Sequence, residues 1–345
     1  MTSDHKLAVI IPAYNASTTL EDCLSGIAGS KRLPDEIILY NDGSTDDTVD
    51  IANRYGVTVI TNDGAPKGPA AGRNICAHNT DADLLVFIDA DVQVHENSIG
   101  DLEAALLSAP DIAAAFGSYD DAPRSQRLAA LYANLRHHFY HQNSSREAST
   151  FWSGFGAIKR DIFLAKKGYD TRFAQPSIED VEFGVRLRNA GYRILLTPEA
   201  QAKHCKDWGL IQLWRTDIFQ RALPWSKLIV SGETKGADLN TSLRERVIII
   251  FAHLLLLLVV GSIFAPMLLW AFLAVAVIYA GLNLRFYKLL ARCGGVGLLL
   301  GGAILHWLYH MYACTVFMFV LLTHHGAKKK RSDEGVSGKA ERHAG

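Results

Sequence analysis

The amino-acid sequence predicts a doubly wound α/β domain with a mostly parallel sheet, followed by an apolar membrane region. Short apolar runs alternate with amphipathic segments over residues 1–207, acidic side chains follow two of those runs, and residues 247–323 are almost uncharged. Strands separated by helices imply right-handed crossovers and hence parallel strands. We therefore expect one α/β domain and one hydrophobic region in this chain of 345 residues.

The elements of the α/β domain follow in order. Apolar runs predict strands at residues 7–11, 36–40, 57–61 and 84–88, and the segments between them predict helices that end near Gly29, Gly56 and Asn79. The first helix would be capped by Asn15 or Ser17, and Ser44 with Asp47 would form a capping box on the second.

Two carboxylates follow the apolar strand at residues 84–88. Asp89 and Asp91 are spaced i, i+2, so their side chains can point to the same place beyond the strand. In open α/β sheets, ligands bind outside the carboxyl ends of the strands. Two hard oxygen donors suit a divalent cation that carries phosphate oxygens, although Asp is also common in ordinary turns.

Asp42 also follows a strand, at the edge of the sheet that carries Asp89 and Asp91. Its carboxylate could accept hydrogen bonds from the base or ribose of a nucleotide. The alternative is turn chemistry, because Asp42 precedes a glycine. Asp46 and Asp47 are interpreted as acids at the start of a helix.

These residues belong to a longer series of motifs that resembles the family 2 glycosyltransferases of GT-A fold over residues 7–205. The motifs are Pro12-Ala13-Tyr14-Asn15, Asn41 to Asp46, Gly68 to Asn74, Asp89-Ala90-Asp91, Gly154 to Arg160, Gly168-Tyr169-Asp170, Glu179-Asp180, Arg186 and Gly191-Tyr192-Arg193. Two positions depart from the family pattern: Ala16 stands where many members have Glu, and Asn41 where many have Asp.

The resemblance implies inverting transfer of a sugar from a nucleotide-diphosphate donor. It implies that Tyr14 flanks the base of the donor, that Asp89 faces the ribose and that Asp91 faces the metal. The implied donor-binding residues are Pro12, Ala13, Tyr14, Asp42, Arg73 and Asp89. The start of the helix at residues 68–79 offers free N–H groups for phosphate, and the implied cofactor is Mg²⁺ or Mn²⁺.

The base that deprotonates the acceptor is assigned by motif to Asp180, with Glu179 beside it. The same residues also read as first-turn acids after an N-cap at Ser177. The resemblance further implies an acceptor region at Trp152, Gly154, Gly156 and Arg186. His204 stands where many GT-A enzymes have a late metal ligand, and the alternative is a solvated loop histidine.

The composition narrows the class of protein. Lys+Arg and Asp+Glu balance at 35 each, so no overall charge favours nucleic acid as a partner. Five cysteines without a Cys-x-x-Cys motif fit a reducing compartment. The N-terminal sequence lacks the pattern of a signal peptide, so we expect the catalytic domain to stay in the cytosol.

A second part of the chain, residues 208–246, begins with Trp and Arg residues at helical spacing. This pattern is typical of an interfacial helix, and a helix packed on the catalytic domain is the alternative. Gln220 to Trp225 is similar to the Gln-x-x-Arg-Trp motif of processive synthases, but its spacing differs.

Residues 247–323 contain three candidate membrane spans, at 247–265, 267–284 and 296–323, and Pro266 predicts a hairpin between the first two. His306 and His310 in the third span have the i, i+4 spacing of a metal site, but the aromatic residues beside them favour a membrane interface or a polar seam between helices. Positive residues before the first span fit a cytosolic catalytic domain. The same rule does not decide on which side of the membrane the basic tail, residues 324–345, lies. We expect that tail to be disordered.

The sequence thus predicts a multi-pass membrane glycosyltransferase that depends on a metal and whose acceptor is a lipid: a polyprenyl phosphate, a glycolipid or another isoprenoid lipid. The alternatives are a processive polysaccharide synthase and a catalytically silent membrane protein that binds nucleotide sugars. Neither the sugar nor the base of the donor follows from the sequence.

Overall fold

The computed structural model describes residues 5–173, 175–233 and 242–340, with side chains described as far as His324. The strands are β1 (Leu7–Ala13), β2 (Glu36–Asn41), β3 (Thr58–Thr61), β4 (Leu84–Ile88), β5 (Val92–Val94), β6 (Ile112–Tyr119), β7 (Glu147–Ala148), β8 (Phe155–Lys159) and β9 (Arg193–His204). The helices up to residue 189 are α1 (Leu20–Ala28), α2 (Thr48–Arg54), α3 (Pro69–His78), α4 (Ser98–Leu107), α5 (Leu128–Asn143), α6 (Arg160–Ala165) and α7 (Glu179–Asn189).

The strands form one sheet in the order β3-β2-β1-β4-β8-β6-β9-β5, with β7 paired to β9. The first four strands are parallel, as predicted, but β8 runs antiparallel to both β4 and β6, and β5 and β7 run antiparallel to β9. Among the described strands of the second half, only β6 and β9 pair in parallel, so the sheet is mixed rather than mostly parallel as predicted. The strand β8 would be equally buried whether it ran parallel or antiparallel to its neighbours. Its apolar sequence therefore does not indicate its direction in the sheet.

Both faces of the sheet are covered. Along β1, Leu7 and Val9 point into one apolar cluster and Ala8 and Ile10 into the other, all of them fully buried. Alternate side chains of a strand point to opposite faces, so a continuous apolar run is what a strand covered on both sides requires.

The loops after β1 and β2 differ from the predicted caps. Neither α1 nor α2 has a side-chain cap. Instead, the Ser44 hydroxyl accepts from the Asn15 amide at 2.9 Å, and the Asp46 carboxylate accepts from the Ser17 amide at 3.0 Å. The polar residues thus join the two loops to each other, which a pattern of local caps could not reveal.

A helical stretch follows the sheet and is built from α8 (Leu210–Arg215), a π-helical turn (Thr216–Ala222) and α9 (Leu223–Ser231). Leu213 and Leu228 are buried against the catalytic domain, while Ile211 and Phe219 are exposed. The stretch therefore packs on the domain, as one alternative proposed, and also presents an apolar surface outward.

The C-terminal region contains α10 (Leu243–Gly261), α11 (Leu268–Leu282) and α12 (Leu284–Ala340). The predicted hairpin at Pro266 is confirmed, because Arg244 at the start of α10 donates to the Leu282 carbonyl at the end of α11. The predicted polar seam is confirmed as well: His306 contacts Tyr132 and His310 contacts Tyr279. Among the described residues, one helical stretch, Leu284–His324, is long and apolar enough to cross a membrane; α11 has 15 residues.

Helix α12 is interrupted at Gly294 and Gly295, whose backbone is not helical. Before the break, Phe286 and Leu290 are buried against α5 of the catalytic domain, and Arg292 forms an ion pair with Asp121. The backbone of the tail expected to be disordered is helical as far as Ala340, and residues 341–345 lie outside the described part. Residues 234–241, near the end of the second part of the chain at 208–246, also lie outside it.

Candidate active site

A continuous cavity of about 2050 Å³ opens at the carboxyl ends of β1, β2 and β4 and extends to α10 and α12. Most of the predicted site residues line it: Pro12, Ala13, Tyr14, Asp42, Arg73, Asp89, Asp91, Trp152, Gly154, Glu179, Asp180 and His204. The parallel strands explain this convergence, because their carboxyl ends meet at one edge of the sheet.

At one end of the cavity, the buried Asp42 carboxylate organises the loop before α3. It accepts from the amides of Lys67 and Gly68 at 2.9 and 2.8 Å, and from the Asn62 side chain at 3.0 Å. Gly68 has a φ of 84°, a conformation that favours glycine. Asp42 thus sets the position of the helix start, while Tyr14 stands 56% exposed at the same end.

Asp89 and Glu179 are joined through Arg73. The guanidinium of Arg73 is 3% exposed and donates to Asp89 Oδ1 at 2.5 Å and to Glu179 Oε1 at 3.3 Å. Glu179 also accepts from the Ser177 amide at 2.9 Å. The residue that precedes α7 is Ile178, so Ser177 is not the helix cap that one interpretation suggested. Arg73 was expected to approach the donor, and its described charge partners are instead these two carboxylates.

Asp91 lies beside His204 and Lys206. Its Oδ2 atom is 3.9 Å from His204 Nε2 and 3.8 Å from Lys206 Nζ. His204 is the last residue of β9, is buried, and stacks on Tyr119 with ring centroids 4.3 Å apart, so it is not a solvated loop histidine. Burial, with the charges of Lys206 and Arg221, lowers the pKa of His204 to about 3, which keeps the imidazole neutral.

The donor set fits a divalent cation in part. A neutral imidazole and a carboxylate are suitable ligands, and burial raises the pKa of Asp91, a cost that a nearby cation would offset. Among the described residues, no three His, Cys, Asp or Glu side chains come together to hold an ion by themselves. Asp91 and His204 could therefore hold a cation only if a substrate supplied further ligands, as diphosphate oxygens do.

Asp180 is the second residue of α7 and faces the same cavity. Its carboxylate accepts from the Ser153 amide at 3.1 Å and from the Val181 amide at 2.8 Å. Burial and the neighbouring Glu179 carboxylate raise the pKa of Asp180 to about 7. A carboxyl with this pKa can accept a proton near neutral pH, which is what a general base requires.

The four residues of the predicted acceptor region differ in their position relative to the cavity. Trp152 lines the cavity, and a Cβ atom at Gly154 would lie 2.6 Å from its indole, so this glycine makes room for the ring. Gly156 lies in β8 and does not line the cavity. Arg186 does not line the cavity: its guanidinium donates to Glu182 and to the carbonyls of Lys166 and Gly168, so it ties α7 to the loop after α6.

A buried polar cluster that the sequence motifs did not predict also lines the cavity. Arg136 of α5 contacts Asp217 of the π-helical turn at 2.7 Å, and Tyr312 of α12 donates to the same carboxylate at 2.6 Å. Nearby, Tyr140 donates to Glu245 at 2.8 Å. The available signal was the presence of Asp217 and Glu245 within or beside apolar helical segments.

Beyond this cluster the cavity wall becomes apolar. The side chains there come from α10 and α12, and Ile250 and Met318 among them are exposed on the outside as well. The lining of this part includes Ile249, Ile250, Ala313, Cys314, Phe317 and Met318. The cavity therefore changes from acidic at the sheet edge to apolar between the C-terminal helices.

Comparison with known proteins agrees with this geometry. Residues 8–165 match the family model described as glycosyl transferase family 2. The chain is 24% identical over 234 residues to the O-antigen chain rhamnosyltransferase RfbN of Salmonella typhimurium, which covers 64% of this chain and 74% of that protein. It is 36% identical over 98 residues to the uncharacterized glycosyltransferase YibD of Escherichia coli, a match that covers 28% of each chain.

A solved structure resembles almost the whole chain. The mannosyltransferase PcManGT from Pyrobaculum calidifontis, in complex with GDP-Man and Mn²⁺, has a TM-score of 0.53 at 17% identity and covers 92% of this chain and 88% of its own. Such a likeness shows the fold alone. The matched domain confirms, for residues 8–165, the family expected from the motifs: this part of the chain is a glycosyl transferase family 2 domain.

Proposed function

We propose that the protein is a membrane-anchored, inverting glycosyltransferase that moves a sugar from a nucleotide-diphosphate sugar to a lipid. The observation that carries the proposal is the single cavity that joins Asp42, Asp89, Asp91 and Asp180 to the apolar walls of α10 and α12. Family membership supports glycosyl transfer, and RfbN is by name a rhamnosyltransferase. The bound GDP-Man and Mn²⁺ in PcManGT support a nucleotide sugar and a divalent cation, Mg²⁺ or Mn²⁺.

The proposed donor site lies at the sheet edge. Tyr14 would flank the base, Asp42 would bond base or ribose and hold the helix start toward the phosphates, and Asp89 would face the ribose. Asp91 and His204 would hold the cation. When bound, the cation would stabilise the negative charge that grows on the departing diphosphate.

In the transfer step, an acceptor hydroxyl oxygen attacks the anomeric carbon on the face opposite to the diphosphate. The new carbon–oxygen bond forms while the bond to the diphosphate breaks, and the electron pair leaves with the diphosphate. Asp180 takes the hydroxyl proton. Arg73 fixes Asp89 and Glu179 from within the protein, so it acts as a positioning residue rather than as a donor ligand.

The proposed acceptor enters from the membrane side. Its headgroup would lie between Asp180 and Trp152, and its chain would follow the apolar wall between α10 and α12. Arg244 and Arg246 at the start of α10 favour a cytosolic position for the catalytic domain. The proposed anchor is the α10–α11 hairpin together with Leu284–His324.

The test uses full-length protein in detergent, a panel of nucleotide sugars, and a lipid extract, with products identified by mass spectrometry. We expect one sugar to be added to a lipid, and expect D91N to lose this activity. Long polymers would instead identify a processive polysaccharide synthase. Donor binding with neither transfer nor hydrolysis would identify a silent nucleotide-sugar-binding protein. Efficient transfer to water-soluble acceptors alone would reject the lipid acceptor.

A further inference from the structure

Arg221 is a cation on the cavity wall that the proposed reaction has not used. It lies in the π-helical turn, its side chain is 49% exposed, and it lines the cavity. Its ion-pair partner in the described part of the chain is Asp217, with 3.1 Å between Nη1 and Oδ1. π-Helical turns occur frequently at functional sites.

The charge of Asp217 is already matched without Arg221. The guanidinium of Arg136 contacts both of its carboxylate oxygens, at 2.9 and 2.7 Å, and the Tyr312 hydroxyl donates to one of them at 2.6 Å. Asp217 is 3% exposed and Arg136 is 9% exposed, so this pair is internal. The guanidiniums of Arg136 and Arg221 share the single carboxylate of Asp217. The group of three therefore carries one net positive charge, and Arg221 is its exposed member.

This positive charge acts on the cavity. Burial lowers the pKa of His137, which lines the cavity, and the charges of His141 and Arg221 lower it further. A guanidinium in such a place offers several N–H donors in one plane, the arrangement that binds phosphate oxygens best.

Arg221 also stands at the boundary between the two halves of the cavity. The carbonyl of the preceding residue, Gln220, accepts from the Ser177 hydroxyl at 2.9 Å, so the turn contacts the segment that leads into Asp180. On the other side, Tyr312 joins the turn to α12, whose next residues, Ala313 and Cys314, line the apolar end.

We propose that Arg221 binds a phosphate group of the lipid acceptor, at the point where the polar half of the cavity meets the apolar half. The inference rests on the proposed function and narrows its acceptor class. A phosphate oxygen is already ionised and needs no base, whereas Asp180 serves a hydroxyl. The acceptor therefore carries both groups: a phosphate or diphosphate that joins the lipid chain to a part bearing the attacking hydroxyl.

The test measures binding, without transfer. Full-length protein in neutral detergent with EDTA is titrated with farnesyl phosphate, farnesol and inorganic phosphate. We expect wild type to bind farnesyl phosphate at least tenfold more tightly than farnesol or inorganic phosphate. Arg221→Gln should lose that preference over farnesol, while Lys227→Gln, a charge on the same helical stretch that does not line the cavity, should keep it.

A second titration, with UDP and GDP in Mn²⁺, separates the two sources of phosphate. If wild type and Arg221→Gln bind the nucleotides with equal affinity, Arg221 belongs to the acceptor site. If Arg221→Gln loses affinity for the nucleotides as much as for farnesyl phosphate, Arg221 belongs to the donor site and the proposal is overturned. A wild type that does not prefer farnesyl phosphate over farnesol overturns it too, as does tight binding of inorganic phosphate alone.

If Arg221→Gln does not show a folding transition, Arg221→Lys and Arg221→Met replace it. The preference for farnesyl phosphate over farnesol must then survive in Arg221→Lys and disappear in Arg221→Met. Failure of the proposed function is a separate result: a protein that binds farnesyl phosphate through Arg221 yet transfers no sugar contradicts that function alone.

Discussion

The guanidinium of Arg73 and the carboxylate of Glu179 lie 3.3 Å apart, although 106 positions separate them in the sequence. The same guanidinium holds Asp89, so a single buried cation connects the carboxyl end of β4 with the start of α7. Arg73 therefore positions Asp89, which is proposed to contact the donor ribose, and Glu179, the residue next to the proposed base Asp180.

Replacement of Arg73 by Met should unfold the site. The change leaves the buried Glu179 carboxylate without its counter-charge, and breaking a buried pair in this way costs about 3–5 kcal/mol. Chemical denaturation of the full-length protein in detergent measures the loss. Arg193→Met, which removes an exposed pair with Asp111, should cost less than about 1 kcal/mol. Equal stability of the two variants would show that the Arg73 pair contributes little.

Asp180→Asn should abolish transfer while donor binding persists. In wild type, the rate should rise with pH up to about 7, because Asp180 accepts the proton only when it is ionised. Glu182→Gln, in the same first turn but paired with Arg186 away from the cavity, is the matched control and should keep its activity. Turnover above about a tenth of wild type in Asp180→Asn would exceed what a missing base allows, since such a base contributes about 10²–10⁴-fold.

The raised pKa of Asp180 also affects stability. The protonated carboxyl contributes fully to stability below its unfolded pKa, about 3.9, and this contribution is lost as the pH rises through the folded value, about 7. Asp180→Asn removes the dependence, so the variant should gain melting temperature relative to wild type between pH 5 and pH 8. A constant difference over this range would contradict the raised pKa.

Removal of the cation should stop the reaction reversibly. EDTA should inhibit the wild type, and added Mn²⁺ or Mg²⁺ should restore it. Asp91→Asn should lose at least 100-fold in transfer rate and should bind Mn²⁺ more weakly in the presence of nucleotide diphosphate, as calorimetry can measure. Asp111→Asn, an exposed acid remote from the cavity, serves as the control. Full activity of the chelated enzyme would remove the cation from the mechanism.

A bulky residue at the apolar end should block the lipid but not the donor. Ala313 lines the cavity on α12, so Ala313→Trp should lower transfer to a long-chain lipid at least tenfold and leave slow donor hydrolysis unchanged. Leu300→Trp, on an exposed face of the same helix, should behave as wild type. Undiminished lipid transfer in Ala313→Trp would show that the chain does not follow this wall.

The sequence by itself determined the first half of the fold and the family. An apolar run of five residues such as Leu84–Ile88 is too short for a typical helix and therefore indicates a buried strand, and parallel neighbours bring their carboxyl ends to one edge. Asp42, Asp89 and Asp91 could therefore be placed together from order and periodicity alone. The α10–α11 hairpin could also be predicted from the local sequence, because Pro266 interrupts a continuous apolar stretch.

Only the tertiary structure decided which side chains meet across long separations. Burial patterns are the same for β8 in either direction, and nothing in the local sequence pairs Arg73 with Glu179 or Arg136 with Asp217. Charged side chains become buried only where a partner is packed against them, and that partner is fixed by how whole elements dock. The docking of Phe286 and Leu290 on α5 determines in the same way how the cavity continues toward the C-terminal helices.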